Sequence, residues 1–353
     1  MQADLTVTRR WKGKVRIWNP SGDLISELHT DLNSIFGLAI SPDHRLVCIG
    51  GGGAVFGKSW EYTGGIEVWS LEKKVRVARF GEDELFFTKS ISFSPDGRQL
   101  LTSTFGKPSK EIRRRKRLAV WNTSSFTKLS AFGEHFSGIE TACFFSAARF
   151  VAFAANPVDV STQRPSGILA ALRRTGFPFR APRNAVQLHD VGSMISVIRI
   201  WDTVSQRELQ SSEMSIGRIE KIAVSPDGRR LVSCGSKLLI WDLERLRILT
   251  EFPQGPNSYS LCVAFSPDGR IVASGGGFRS GVGSPYEDCG VRLWDSETAR
   301  LIAFLPHGTP VHSLAFSPDG QKIVAGGELG ELLLWNIVSF SEGAPQTWEG
   351  GKA

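Results

Sequence analysis

The residues able to do chemistry are scattered along this chain rather than grouped. The five cysteines are Cys48, Cys143, Cys234, Cys262 and Cys289, with no CxxC pair among them, so neither a zinc site nor a disulfide framework is indicated. Four lie in apolar runs such as LVCIG and LCVAF, where Cys acts as a small buried hydrophobe. Cys289, beside Asp288, is the one loop thiol, and no base can be assigned to it. The six histidines, His29, His44, His135, His189, His307 and His312, have no metal-ligand spacing. No Gly-x-Ser-x-Gly elbow occurs. The run Glu82-Asp83-Glu84 reads as solvated. The Gly-rich stretches GGGAVFGKSWEYTGG (51–65) and GFRSGVGSPYEDCG (277–290) follow strands but open no helix and lack Gly-Lys-Ser/Thr, which argues against a phosphate-cradling loop. The sequence therefore predicts no catalytic residue, no cofactor, no metal and no enzyme.

Charge chemistry remains. The net charge is +7, and its densest piece is the octapeptide at 110–117, with Lys110, Arg113, Arg114, Arg115, Lys116 and Arg117. It reads as an anion-contacting loop or as a solvated tract whose charges repel and stay wet. Residues 156–195 hold Arg173, Arg174, Phe177, Phe179, Arg180 and Arg183. SGILAALRRTG could form a short helix there, and FPFRAPR is too Pro-rich for one. The two Phe could anchor a partner or pack on the protein's own surface. Trp60 and Tyr62 are further candidate contacts, whereas Tyr286 reads as an ordinary loop aromatic.

The elements that must position these residues repeat. Ser-Pro-Asp occurs at Ser41, Ser94, Ser225, Ser266 and Ser317, with aspartates Asp43, Asp96, Asp227, Asp268 and Asp319; Ser146 has the same context without Pro-Asp. Apolar runs flank each site, a hairpin signal. Seven tryptophans, Trp18, Trp69, Trp121, Trp201, Trp241, Trp294 and Trp335, each end a short alternating strand.

From each Trp to the next Ser is 23, 25, 25, 24, 25 and 23 residues, nearly constant. From each Ser to its own Trp is 28, 27, 55, 16, 28 and 18 residues. One block is rigid, and every insertion falls at one point, between the second and third strands of a unit. The two units free of insertions have Trp-to-Trp periods of 40 and 41 residues.

A period near 40 with four strands and a terminal Trp-Asp, as at Trp201, Trp241 and Trp294, resembles the WD-repeat family. The resemblance covers nearly the whole chain and implies an all-β, seven-bladed propeller. Its blades would span about 1–29, 30–81, 82–133, 134–213, 214–253, 254–305 and 306–349, with 350–353 as a tail. Blade one is incomplete: its second strand would be 4–8 and nothing remains for a first, so it has three strands or the native chain starts earlier. The family's Gly-His has counterparts only near His135 and His307, so apolar packing should outweigh the polar network.

The resemblance further implies that the four insertions, 51–65, 104–117, 156–195 and 277–290, share one face. They hold fourteen cations and six anions, a net +8, which leaves −1 for the remainder. A basic, decorated face on a neutral body attracts acidic protein surfaces or nucleic acid. The expected function is a non-enzymatic scaffold docking a protein or peptide there, the partner being acidic in one reading. The alternatives are polyanion binding and a sensor or targeting domain of a larger chain. No apolar run reaches membrane-spanning length and residues 1–20 hold no signal-peptide core, so a monomeric cytoplasmic propeller is expected.

Overall fold

The computed structural model describes residues 6–10, 14–18, 24–32, 35–56, 60–81, 85–106, 116–132, 138–145, 149–156, 196–212, 217–254, 258–279, 286–328 and 331–337. They form strands joined by turns, bends and irregular connections, and none is helix. Among the described residues, six sheets of antiparallel neighbours form, most of them meanders in chain order. The first comprises β1 (Thr6–Arg10), β2 (Lys14–Trp18) and β3 (Leu24–His29). The second, eight-stranded, unites the meander β4 (Ile35–Ile40), β5 (Leu46–Phe56), β6 (Trp60–Ser70), β7 (Arg76–Phe80) with the meander β8 (Leu85–Phe93), β9 (Gln99–Gly106), β10 (Lys116–Asn122), β11 (Lys128–Phe132). The single pair Gly52↔Phe87 joins these two meanders.

The third sheet is β12 (Gly138–Phe145), β13 (Phe150–Asn156), β14 (Val197–Asp202), β15 (Arg207–Ser211). The fourth is β16 (Ile219–Val224), β17 (Arg230–Gly235), β18 (Leu239–Asp242), β19 (Arg247–Glu251). The fifth is β20 (Ser260–Phe265), β21 (Ile271–Arg279), β22 (Tyr286–Asp295), β23 (Leu301–Pro306), and the sixth is β24 (Val311–Phe316), β25 (Lys322–Gly327), β26 (Leu332–Asn336). This is an all-β propeller. Apolar residues alternate along the strands and interlock between neighbouring sheets, as where Ile198 and Ile200 meet Ile219, Leu231 and Trp241. Burying one such side chain is worth about 1.5–3 kcal/mol.

The repeated motifs fix the hairpins. In each Ser-Pro-Asp turn the Ser hydroxyl donates to the Asp carboxylate, at 2.5 Å in Ser41–Asp43 and 2.6 Å in Ser94–Asp96. The residue after Asp takes a positive φ: His44 at 58°, and Gly at 97, 228, 269 and 320 near 70°. A Cβ on Gly97, Gly269 or Gly320 would touch Pro42, Pro226 or Pro267 of the preceding unit, so these turns abut one another. At the third-to-fourth hairpins the residue after Trp caps the turn. Asp242 Oδ1 accepts the Glu244 and Arg245 amides, and Asn122 Oδ1 those of Ser124 and Ser125. Five residues past Trp the backbone is left-handed every time it is described, at Lys74, Phe126, Gln206, Leu246 and Ala299.

Three tryptophans gain a hydroxyl partner on the neighbouring strand: Trp121 Nε1 donates to Thr102 at 3.0 Å, Trp241 to Ser233 and Trp294 to Ser274 at 2.9 Å. Trp69 Nε1 instead donates at 2.9 Å to the buried Glu67, whose other oxygen accepts from Arg76 at 3.2 Å. Trp201 stacks on Phe132, centroids 4.5 Å apart. Around Trp335 the buried His307 Nδ1 lies 3.0 Å from Thr309 O and 3.7 Å from Glu331. The polar network is thus richer than His residues alone suggested, because Ser and Thr do much of the bonding. His135 lies outside the described residues.

Two sequence readings are corrected. Residues 51–56 and 60–65 are not loop: they prolong β5 and β6 into a hairpin of eleven-residue strands. The same holds for 277–279 and 286–290 in β21 and β22. Cys289 is accordingly a buried strand residue, not a loop thiol. All five cysteines are free.

Candidate functional site: the rim of the central cavity

The first strands of the sheets, β4, β8, β16, β20 and β24, line one cavity of about 620 Å³. Its wall is largely apolar, with Leu38, Ile91, Ile222, Val263 and Leu314 among its residues. The first strand of each later meander, β4, β8, β12, β16, β20 and β24, carries a register shift in its first half, between Ile35/Gly37, Thr88/Ser90, Ile139/Thr141, Ile219/Lys221, Ser260/Cys262 and Val311/Ser313. A bulge of this kind leaves one residue without a ladder partner and re-aims its side chain. The six residues so placed are Phe36, Lys89, Glu140, Glu220, Leu261 and His312. All but Glu140 line the cavity, and Glu140 contacts Lys89.

Glycine makes room for the bulges. A Cβ on Gly235 (φ 148°) would stand 2.1 Å from Arg218 O, and one on Gly276 2.0 Å from Tyr259 O.

The rim is electrostatically linked from sheet to sheet. Lys89 Nζ pairs with Glu140 Oε2, whose carboxylate is nearly buried. Arg218 Nε pairs with Glu220 Oε1 at 2.7 Å, and the Tyr259 hydroxyl donates to the same oxygen at 2.7 Å. Burial pushes the Lys89 ammonium down to about 8, against the pull of Glu220. Burial, and then the bond to Glu220, hold the Tyr259 proton well above the usual phenol range.

Register places the rim relative to the insertions. The Ser-Pro-Asp turns close one end of the first strands. The bulges lie at the other end, toward which the second strands run: Ile219↔Gly235, Ser260↔Gly276, Thr88↔Thr104. There the second-to-third connections leave. Arg117 on β10 pairs with Thr104, which places this last residue of the basic run level with the β8 bulge.

Of the residues singled out by sequence, Trp60 and Tyr62 lie in β6, and Lys116 and Arg117 in β10. Lys110, Arg113, Arg114, Arg115, Arg173, Arg174, Phe177, Phe179, Arg180 and Arg183 lie outside the described residues. The six bulge residues went unnoticed in the sequence. A partial signal was a variable residue between a buried residue and a small one, as in Ile-Phe-Gly, Ile-Glu-Thr and Val-His-Ser, though Glu220 is followed by Lys221. Among the described residues no cluster of His, Cys, Asp and Glu could hold a metal ion. No helix among them is long and apolar enough to cross a membrane.

Repeated four-stranded meanders packed around a cavity lined by their first strands define a β-propeller with a rim of side chains at one end. The family model described as "WD domain, G-beta repeat" matches residues 247–295 and 299–336. The chain is 25% identical over 147 residues to meiotic recombination protein rec14 of Schizosaccharomyces pombe, covering 40% of this chain and 45% of that protein. It is 28% identical over 142 residues to protein groucho of Drosophila melanogaster (39% and 18%). It is 28% identical over 159 residues to small ribosomal subunit protein RACK1y of Oryza sativa subsp. japonica (42% and 44%). The matched stretch spans less than half the length of each of these relatives. These matches support a WD-repeat propeller.

Proposed function

We propose that this chain is a non-enzymatic scaffold that docks a protein segment on the end carrying the bulge residues. Propellers of this family are typically scaffolds for protein interactions. The observation that carries the reading is the coincidence, at one end, of six bulge side chains and the departure points of the insertions. A segment seated there would meet apolar contacts at Phe36 and Leu261 and ionic ones at Lys89, Glu140, Glu220 and Arg218. Charge complementarity of that kind sets specificity and encounter rate more than raw affinity.

In this reading the eight-stranded sheet counts as two blades, which gives seven with the limits stated above, and the three-stranded first sheet is the incomplete blade. Five free thiols suit a reducing compartment such as the cytoplasm. A monomer suits a docking platform that needs no second copy.

The test is affinity capture with mass spectrometry, comparing the native chain with two variants: Glu at Arg113, Arg114, Arg115 and Arg117, and Glu220→Lys. Nuclease treatment is the control. Nuclease-resistant partners lost in either variant support docking on this end, and partners retained by both variants overturn it. The net +8 of the insertions favours polyanion binding as a second reading. That reading requires partners lost to nuclease and binding that weakens steeply with salt.

A further inference from the structure

A second cavity, of about 590 Å³, opens between the sheets β12–β15 and β16–β19. Its lining includes Gly228 and Arg229 of a Ser-Pro-Asp turn and Leu243 and Glu244 of a third-to-fourth hairpin. Both hairpins close at the end opposite the bulge rim, so this groove is independent of the docking end argued above. Its volume falls within the range of about 300–1,000 Å³ usual for ligand pockets.

The floor is apolar: Phe145, Phe150 and Ile200 line it, the two rings 5.4 Å apart. The walls are Leu209 on β15 and Leu249 on β19, each 46% exposed although each lines the groove. Two half-exposed leucines facing one apolar recess leave surface that an incoming side chain would cover. Arg149, which stands beside the groove over Phe150 rather than in its lining, adds the polar recognition. Its guanidinium lies 5.0 Å over the Phe150 ring, its side chain is 60% exposed, and it reaches Asp202 only at 3.7 Å. Asp202 is otherwise engaged by the Val204 amide at 2.9 Å. On the opposite wall Asp242 accepts two amides of its own turn, and Arg230 is drawn away to Gly269 O at 3.1 Å. Arg149 and the exposed Arg229 are therefore the cations positioned to meet a ligand. Exposed Glu244 disfavours a run of acids.

We infer that this inter-sheet groove is a second docking site, for an extended segment of a protein partner carrying one bulky apolar side chain next to one carboxylate. The apolar side chain fills the recess between Leu209 and Leu249. The carboxylate takes the Arg149 guanidinium, an arrangement suited to paired N–H···O bonds.

The probe is a phage library of random dodecapeptides selected on the full chain, with binding of the enriched peptides then measured on variants. Because Leu209 and Leu249 are half-exposed, Leu209→Asp/Leu249→Asp should keep the native thermal melt, and Arg149→Glu gives an independent surface change. The expected result is a shared motif of Leu, Ile or Phe beside Asp or Glu. Its binding should weaken about tenfold or more in each variant, a loss of about 1.4 kcal/mol. Swapping the peptide's acid for Lys should restore binding to Arg149→Glu. Peptides lost only in Glu220→Lys would belong to the rim, and if no others are enriched the groove is not a docking site. A motif of apolar beside basic residues, binding unchanged in the variants, or no enrichment overturns the inference. So does a dimer by light scattering that the double variant makes monomeric, since the groove would then hold a second copy.

Discussion

The Tyr259 hydroxyl donates to Glu220 Oε1 at 2.7 Å, tying the entry to β20 to the bulge of β16 across two neighbouring sheets. Glu220 keeps Arg218 when this bond is removed, so the carboxylate is not orphaned. Tyr259→Phe should therefore cost about 1.5–2 kcal/mol, toward the low end of the range for hydrogen bonds to charged groups, read as a lowered urea midpoint. The raised phenol sets the sign of the pH effect. The folded state holds this proton more tightly than the unfolded one, so the contribution is complete below about pH 10 and is lost as pH climbs through the folded value. The gap between native protein and variant should narrow above pH 10. A constant gap would mean the bond does not link the two sheets.

Ser274→Ala should destabilise by about 1–3 kcal/mol, because it leaves the buried Trp294 Nε1 without its acceptor. Ser233→Ala should do the same through Trp241. Equilibrium denaturation of both variants checks this, and losses near zero would mean that the indole finds another acceptor.

The Ser-Pro-Asp turns should contribute to acid unfolding. The Ser hydroxyl is the largest cause holding Asp43, Asp96, Asp227 and Asp319 below the ordinary carboxylate value. At Asp268 burial pulls upward, and the Ser266 hydroxyl with the Arg270 amide outweighs it. A depressed carboxylate contributes stability above its unfolded pKa, about 3.9, and loses it as pH falls through the folded value. Asp96→Asn with Asp227→Asn and Asp268→Asn should flatten the fall in stability below pH 4. A slope unchanged in circular-dichroism titrations would place the acid sensitivity elsewhere.

Lys74 is exposed, with φ 56° in a third-to-fourth hairpin. A non-glycine residue in left-handed backbone carries roughly 1–2 kcal/mol of steric strain, part of which a glycine returns as unfolded-state entropy. Lys74→Gly should therefore stabilise the chain by about 0.5–1 kcal/mol. Phe126→Gly at the equivalent position should destabilise it, because Phe126 stacks on Phe80 at 5.6 Å. Opposite signs in a thermal melt are the expected outcome, and matching signs would rule out backbone strain as the common cause.

The sequence by itself determined the repeating unit. A nearly constant spacing from Trp to Ser, with all variation confined between Ser and Trp, prescribes where strands begin and end, because hairpin turns require fixed residue types at fixed offsets. Ser266-Pro-Asp-Gly and Trp294-Asp are legible one at a time for that reason. Tertiary structure alone decided which side chains meet. The hydroxyl that accepts from Trp241 comes from Ser233 on the neighbouring strand, and Glu220 receives Tyr259 from the next sheet. The bulges that turn Phe36, Lys89, Glu140, Glu220, Leu261 and His312 toward the cavity rim are likewise a property of pairing: a strand's own residues do not specify where its partner gains or loses a place in the ladder. Local turn chemistry is written in neighbouring residues, whereas a binding surface is assembled from positions forty or more residues apart, brought together only when the sheets pack.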